Sequence, residues 1–96
     1  MEGCEEINNN RRKQIRNVVR RIDRIQTTID CLQEYLQMIS DEEKNYRDDI
    51  PENLRDSGIY EEADHACAEL KTAYEHLGDS KENLFSVVCA LESAIR

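Results

Sequence analysis

The stretch Ile15–Ile39 reads IRNVVRRIDRIQTTIDCLQEYLQMI. Apolar residues fall in it at Ile15, Val18, Ile22, Ile25, Ile29, Leu32, Leu36 and Ile39, with Tyr46 one heptad further on. The steps alternate between three and four, the 3.5-residue period of a left-handed coiled-coil seam. Nothing between Ile7 and Arg47 interrupts a helix. Helix one is therefore expected over about 7–47, after a frayed acidic start at residues 1–6.

The same period returns later, at Ala63, Ala66, Leu70, Ala73, Leu77, Ser80, Leu84, Val87, Leu91 and Ala94. One column is all leucine (Leu70, Leu77, Leu84, Leu91), and the other is small (Ala66, Ala73, Ser80, Val87). Between the two periodic segments, residues 48–58 form an acidic break, DDIPENLRDSG. Pro51 suits the first position of a short helical turn running to Leu54. Ser57 is the expected N-cap of helix two, over about 59–96. Ile50, Leu54 and Ile59 are expected to close that end. Gly78-Asp79-Ser80 can stop a helix, yet the seam keeps phase across it, so a continuous or gently kinked helix is expected.

These segments predict an all-α fold, a single domain over 1–96 in which two helices form an antiparallel hairpin. The expected register sets Ile15, Ile22, Ile29 and Leu36 against Leu91, Leu84, Leu77 and Leu70. It also sets Val18, Ile25, Leu32 and Ile39 against Val87, Ser80, Ala73 and Ala66, large residues against small ones. A second apolar stripe remains: Cys67, Tyr74, Phe85, Val88 and Ile95 on helix two, with Val19, Tyr35 and Met38 on helix one. Either these residues broaden the intramolecular contact or they form an oligomer interface. The second reading is preferred, with two chains closing a four-helix bundle, because a 96-residue two-helix core is marginal alone.

Charge is unevenly spread. Residues 11–24 hold seven basic residues against the single acid Asp23, a local net of +6, which leaves −14 of the total −8 for the rest of the chain. Lys13, Arg16, Arg20 and Arg24 recur at spacings of 3, 4 and 4, so they share one outward helix face. Such a stripe is a candidate site for phosphate groups of a nucleotide or other anion. The alternatives are a solvated face, or arginines paired across the hairpin with Glu82 and Glu92. No aromatic residue interleaves the basic ones, which argues against base stacking.

Other chemistries find little footing. Glu62 and His65 have the Glu-x-x-His spacing of carboxylate-bridged metal bundles, but they flank the seam instead of occupying it, so no metal or cofactor is expected. There is no glycine-rich phosphate loop and no nucleophile elbow, and a hairpin offers no deep pocket, so the chain is not expected to be an enzyme. No stretch approaches transmembrane length. Met1–Glu6 has neither a basic start nor an apolar run, so no secretory signal is expected and the cytoplasm is the expected compartment. Cys4, Cys31, Cys67 and Cys89 contain no CxxC pair and are expected to be reduced thiols.

Two resemblances bear on function. The basic start Arg11-Arg12-Lys13-Gln14-Ile15, the acidic run Asp41-Glu42-Glu43 and the turn Ile50-Pro51-Glu52-Asn53-Leu54 with Ser57 resemble small helical-hairpin proteins carried by phages and mobile elements of Gram-positive bacteria. That resemblance implies an accessory role in a phage or its host. The expected function is a homo-oligomeric interaction protein that inhibits a bacterial defence system by occupying a protein partner's surface. The acids from Asp41 to Asp56 would then imitate nucleic acid. A sponge that sequesters a phosphate-bearing nucleotide on the basic face is the alternative. In length, acidity and hairpin form the chain also resembles the Trp-x-Gly hairpin family of type VII secretion. Tyr60-Glu61-Glu62-Ala63-Asp64 matches the letters of that system's export signal, though there is no Trp and Ser57-Gly58-Ile59 occupies the turn. A secreted hairpin is the third expectation.

Overall fold

A computed structural model describes the backbone of residues 2–96 and the side chains from residue 8 onward. Helix α1 spans Glu2–Asp48, a 3-10 turn spans Glu52–Leu54, and helix α2 spans Ile59–Ala94. The first helix therefore begins at Glu2, five residues before the expected start. The two helices lie against each other along a rod of 80 × 15 × 14 Å. Helix α2 runs unbroken through Gly78, as the unbroken phase of its leucine column predicts.

Two hydrogen bonds fix the register. The Gln26 side-chain amide donates to the Lys81 carbonyl at 3.3 Å, and Gln33 donates to the Tyr74 carbonyl at 3.4 Å. Midway between these layers lie Ile29 and Leu77, and one heptad on lie Ile22 and Leu84. The expected pairing of the isoleucine and leucine columns is thus the observed one. Ile22 and Ile29 are buried at 7% exposure each, the deepest points of α1.

The second half of the seam differs from the expected one. Beside the Ile15–Ile22–Ile29–Leu36 column, α1 carries two flanks. One, three residues on, is Val18, Ile25, Leu32, Ile39 and Tyr46. The other, four residues on, is Val19, Gln26, Gln33, Ser40 and Arg47. The second flank is the one turned inward, with all its members buried or half-buried. Val18, Ile25, Leu32 and Tyr46 stay outside, 44–53% exposed. Helix α2 makes the matching choice. Cys67, Lys81, Val88 and Ile95 lie inward beside the leucines, whereas Ala73, Ser80 and Val87 are exposed and Ala66 is half-buried.

This packing has a physical basis. Val88 and Ile95, inward on α2, are larger than Ala73 and Ser80, so closing on them buries more area. Gln26 and Gln33 of α1 are satisfied by α2 carbonyls. The Lys81 ammonium leaves the seam to pair with Asp30, which keeps the charge in water while its stem packs.

At the turn, Pro51 precedes the 3-10 segment, and the Leu54 N–H donates to the Pro51 carbonyl at 2.9 Å. Ile50 is buried at 8% exposure and Ala63 of α2 at 3%, but Leu54 and Ile59 are nearly half exposed, so of the three expected residues only Ile50 closes this end. Arg55 donates from Nε to the Ile50 carbonyl at 3.4 Å and lies 5.1 Å over the Tyr60 ring. Ser57 is not the N-cap. Its hydroxyl donates to the Leu54 carbonyl, and Gly58 takes the cap position with φ +86°. A Cβ on Gly58 would meet nothing within 4 Å, so the cost of adding one is purely that of the left-handed backbone. Gly58→Ala should lower stability by about 1–2 kcal/mol in thermal melts, and an unchanged melting temperature would contradict the left-handed cap.

Candidate interaction surfaces

In an antiparallel helix pair, flanks at equal offset from the paired columns lie on the same side of the seam. Val18, Ile25, Leu32, Ile39 and Tyr46 of α1 therefore share one long face with Ala66, Ala73, Ser80 and Val87 of α2. Tyr35, 63% exposed, lies one helix turn from Leu32 and Ile39 and widens that face. The hairpin leaves Val18, Ile25, Leu32, Tyr35, Tyr46 and Val87 of this face exposed and half-buries Ile39 and Ala66.

The residues expected to form an oligomer interface are divided by the fold. Val88 is buried and Val19, Cys67 and Ile95 are half-buried within the hairpin's own seam, so the broadened intramolecular contact holds for these four. Tyr74 sits at the seam's edge, 37% exposed, its carbonyl engaged by Gln33. Tyr35, Met38 and Phe85 are exposed at 60–63%. Of these, Tyr35 borders the apolar face, while Phe85 lies across the rod in a shallow groove with Gln26, Lys81, Glu82 and Ser86. The face that matters, Val18 to Tyr46, was assigned by the sequence to the inside.

Lys13, Arg16, Arg20 and Arg24 are all exposed. Arg16 and Arg20 border a shallow groove with Val19, Glu92 and Ile95. Among the described residues no ion pair within 4 Å involves any of the four; the ion pairs between fixed charges are Arg47 with Asp48 and Asp64, and Lys81 with Asp30. The expected alternative of pairing to Glu82 and Glu92 is therefore not realised. Arg47, by contrast, is committed. It holds Asp48 at 3.1 Å and Asp64 at 2.8 Å, and these two carboxylates, Asp48 first, raise its pKa above the ordinary value. That link ties α1 to the start of α2 beside the turn.

Among the described residues no cluster of three or more metal-ligating side chains occurs, and no helix is long and apolar enough to cross a membrane. His65 and His76 are exposed. Cys31, Cys67 and Cys89 are free thiols, and Cys4 lies outside the described side chains. A groove between the helices is bordered by Ser40, Lys44, Arg47, Cys67, Lys71 and Tyr74.

No family model, curated protein or solved structure matches the chain.

Proposed function

We propose that this protein is a non-enzymatic interaction protein in which two copies close a four-helix bundle that acts by occupying a partner's surface. The observation that carries this reading is the stripe Val18, Ile25, Leu32, Tyr46, with Tyr35 beside it, which the hairpin leaves in water. A contiguous apolar face of this kind on a small protein marks an interaction site. Following the resemblance to hairpin proteins of Gram-positive phages and mobile elements, the setting is the bacterial cytoplasm and the target a defence system. The exposed carboxylates Asp41, Glu42, Asp49, Glu52 and Asp56 around the turn support this, since they offer a dense negative field to a surface built for nucleic acid. Affinity purification from the native host is the test. Nuclease subunits should be enriched, and recovery of secretion components instead would replace this reading with that of a secreted hairpin.

One observation favours a second reading, a sponge for a phosphate-bearing nucleotide: among the described residues the four stripe cations pair with no carboxylate. Calorimetric titration with cyclic and linear nucleotides decides it. A sponge should release heat that falls steeply with added salt, and Arg20→Glu with Arg24→Glu should abolish it without changing mass or helicity. Absence of heat at both low and moderate salt removes the sponge.

A further inference from the structure

The rod has two electrically opposite ends. Residues 2–26 of α1 and 81–96 of α2 make up one end and hold nine basic residues against six acids, a net of +3. Residues 27–80, which make up the middle and the turn, hold fifteen acids against four bases, a net of −11. The exposed apolar face runs across both regions, from Val18 to Tyr46. Its extent matters too. A face along a rod 80 Å long and 15 Å wide can supply the ~800 Å² per partner of a standard stable interface.

Resting on the dimeric reading above, we propose that the occupant of this face is a second copy of the chain lying antiparallel, related by a two-fold axis that crosses the rod at Leu32. Two face-to-face orientations are compatible with two-fold symmetry. In the parallel one the basic ends lie together and the acidic ends lie together. In the antiparallel one each basic end lies over the partner's acidic region, and complementary potentials select this orientation.

The spacing of the stripe fits the second arrangement. With seven-residue steps centred on Leu32, Val18 meets the partner's Tyr46, Ile25 meets the partner's Ile39, and Leu32 meets the partner's Leu32. The bordering column, one helix turn away, then brings Arg21 beside the partner's Glu42, twice in the dimer. On α2, Ala73 lies near the same axis, where two small side chains let the second helices approach closely.

Two measurements test the arrangement. The first is mass by sedimentation equilibrium: the unmutated protein should behave as a dimer of the 11.2 kDa chain. Arg21→Glu or Glu42→Arg alone should weaken the dimer about tenfold, and the two together should restore it. The second is a spin–spin distance from labels at Asn10→Cys, with Cys67 replaced by Ala and the other cysteines by Ser, after confirming that this background remains helical and dimeric. The antiparallel dimer should give about 66 Å, from 22 residues on each side of Leu32 at 1.5 Å each. A dimer with labels at the same end, or a charge swap that the double substitution does not restore, overturns the antiparallel arrangement and leaves the dimeric reading intact. A monomer mass for the unmutated protein overturns both and assigns the face to a different partner.

Discussion

Ile29→Ala should lower the unfolding free energy by about 2–3 kcal/mol, the lower part of the range for a buried Ile truncated to Ala. The lower part applies because the rod is one helix pair thick and, among the described residues, holds no side chain below 2% exposure, so water reaches the edge of any cavity. Ile25→Ala, four residues earlier, removes the same atoms from a site 48% exposed within the hairpin. Its effect on the hairpin itself should stay within about 1 kcal/mol, and the remainder should depend on protein concentration, because any burial of Ile25 comes from a second chain. Urea unfolding at several protein concentrations separates the two. Equal, concentration-independent losses at both positions would mean that Ile25 faces α2 and that the inward flank is the apolar one.

That contrast marks what the sequence could and could not reveal. The column Ile15, Ile22, Ile29, Leu36 has apolar residues every seven positions and faces an all-leucine column of the same period. Together they determine two helices, their direction and their register, and the hydrogen bonds of Gln26 and Gln33 fall in that register. Pro51 and the phase across Gly78 were equally legible, because each depends on local chemistry.

The flank was not legible. Hydrophobicity favours burying Val18, Ile25 and Leu32 over Gln26, Gln33 and Ser40, but it says nothing about which chain does the burying. Two pieces of information lie outside a one-helix pattern. Gln26 and Gln33 find carbonyl partners only once α2 is in place, and the bulk of Val88 and Ile95 on α2 outweighs the small Ala73 and Ser80 on its other flank. The misplacement of Ser57 has a similar origin. Serine is a favoured cap by propensity, yet the chain needs a left-handed residue to turn from the 3-10 segment into α2, and Gly58 is the residue that adopts it without strain.

The same logic separates the hairpin from its assembly in the opposite direction. Val88 is 8% exposed, beside the leucine column and level with Val19 of α1. Val88→Glu would place a carboxylate inside the leucine seam, whereas the guanidinium groups around Val19, those of Arg16 and Arg20, are solvent-exposed, so the carboxylate stays desolvated unless it leaves the seam to reach them. An uncompensated buried charge costs about 3–5 kcal/mol, a large share of the ~5–15 kcal/mol that holds a small domain folded. Val88→Glu should therefore lose most of its helical circular dichroism near physiological temperature. Leu32→Glu should behave oppositely. Leu32 is 48% exposed, and glutamate is a good helix former, so the hairpin should keep its helicity. In the proposed dimer, however, the substitution sets two carboxylates against each other at the two-fold axis, and light scattering should report a monomer. If Val88→Glu instead stays helical and only dissociates, Val88 belongs to the face between chains and the inward flank of α2 is the one bearing Ala66 and Ala73. If Leu32→Glu unfolds the protein, Leu32 lies within the hairpin's own core.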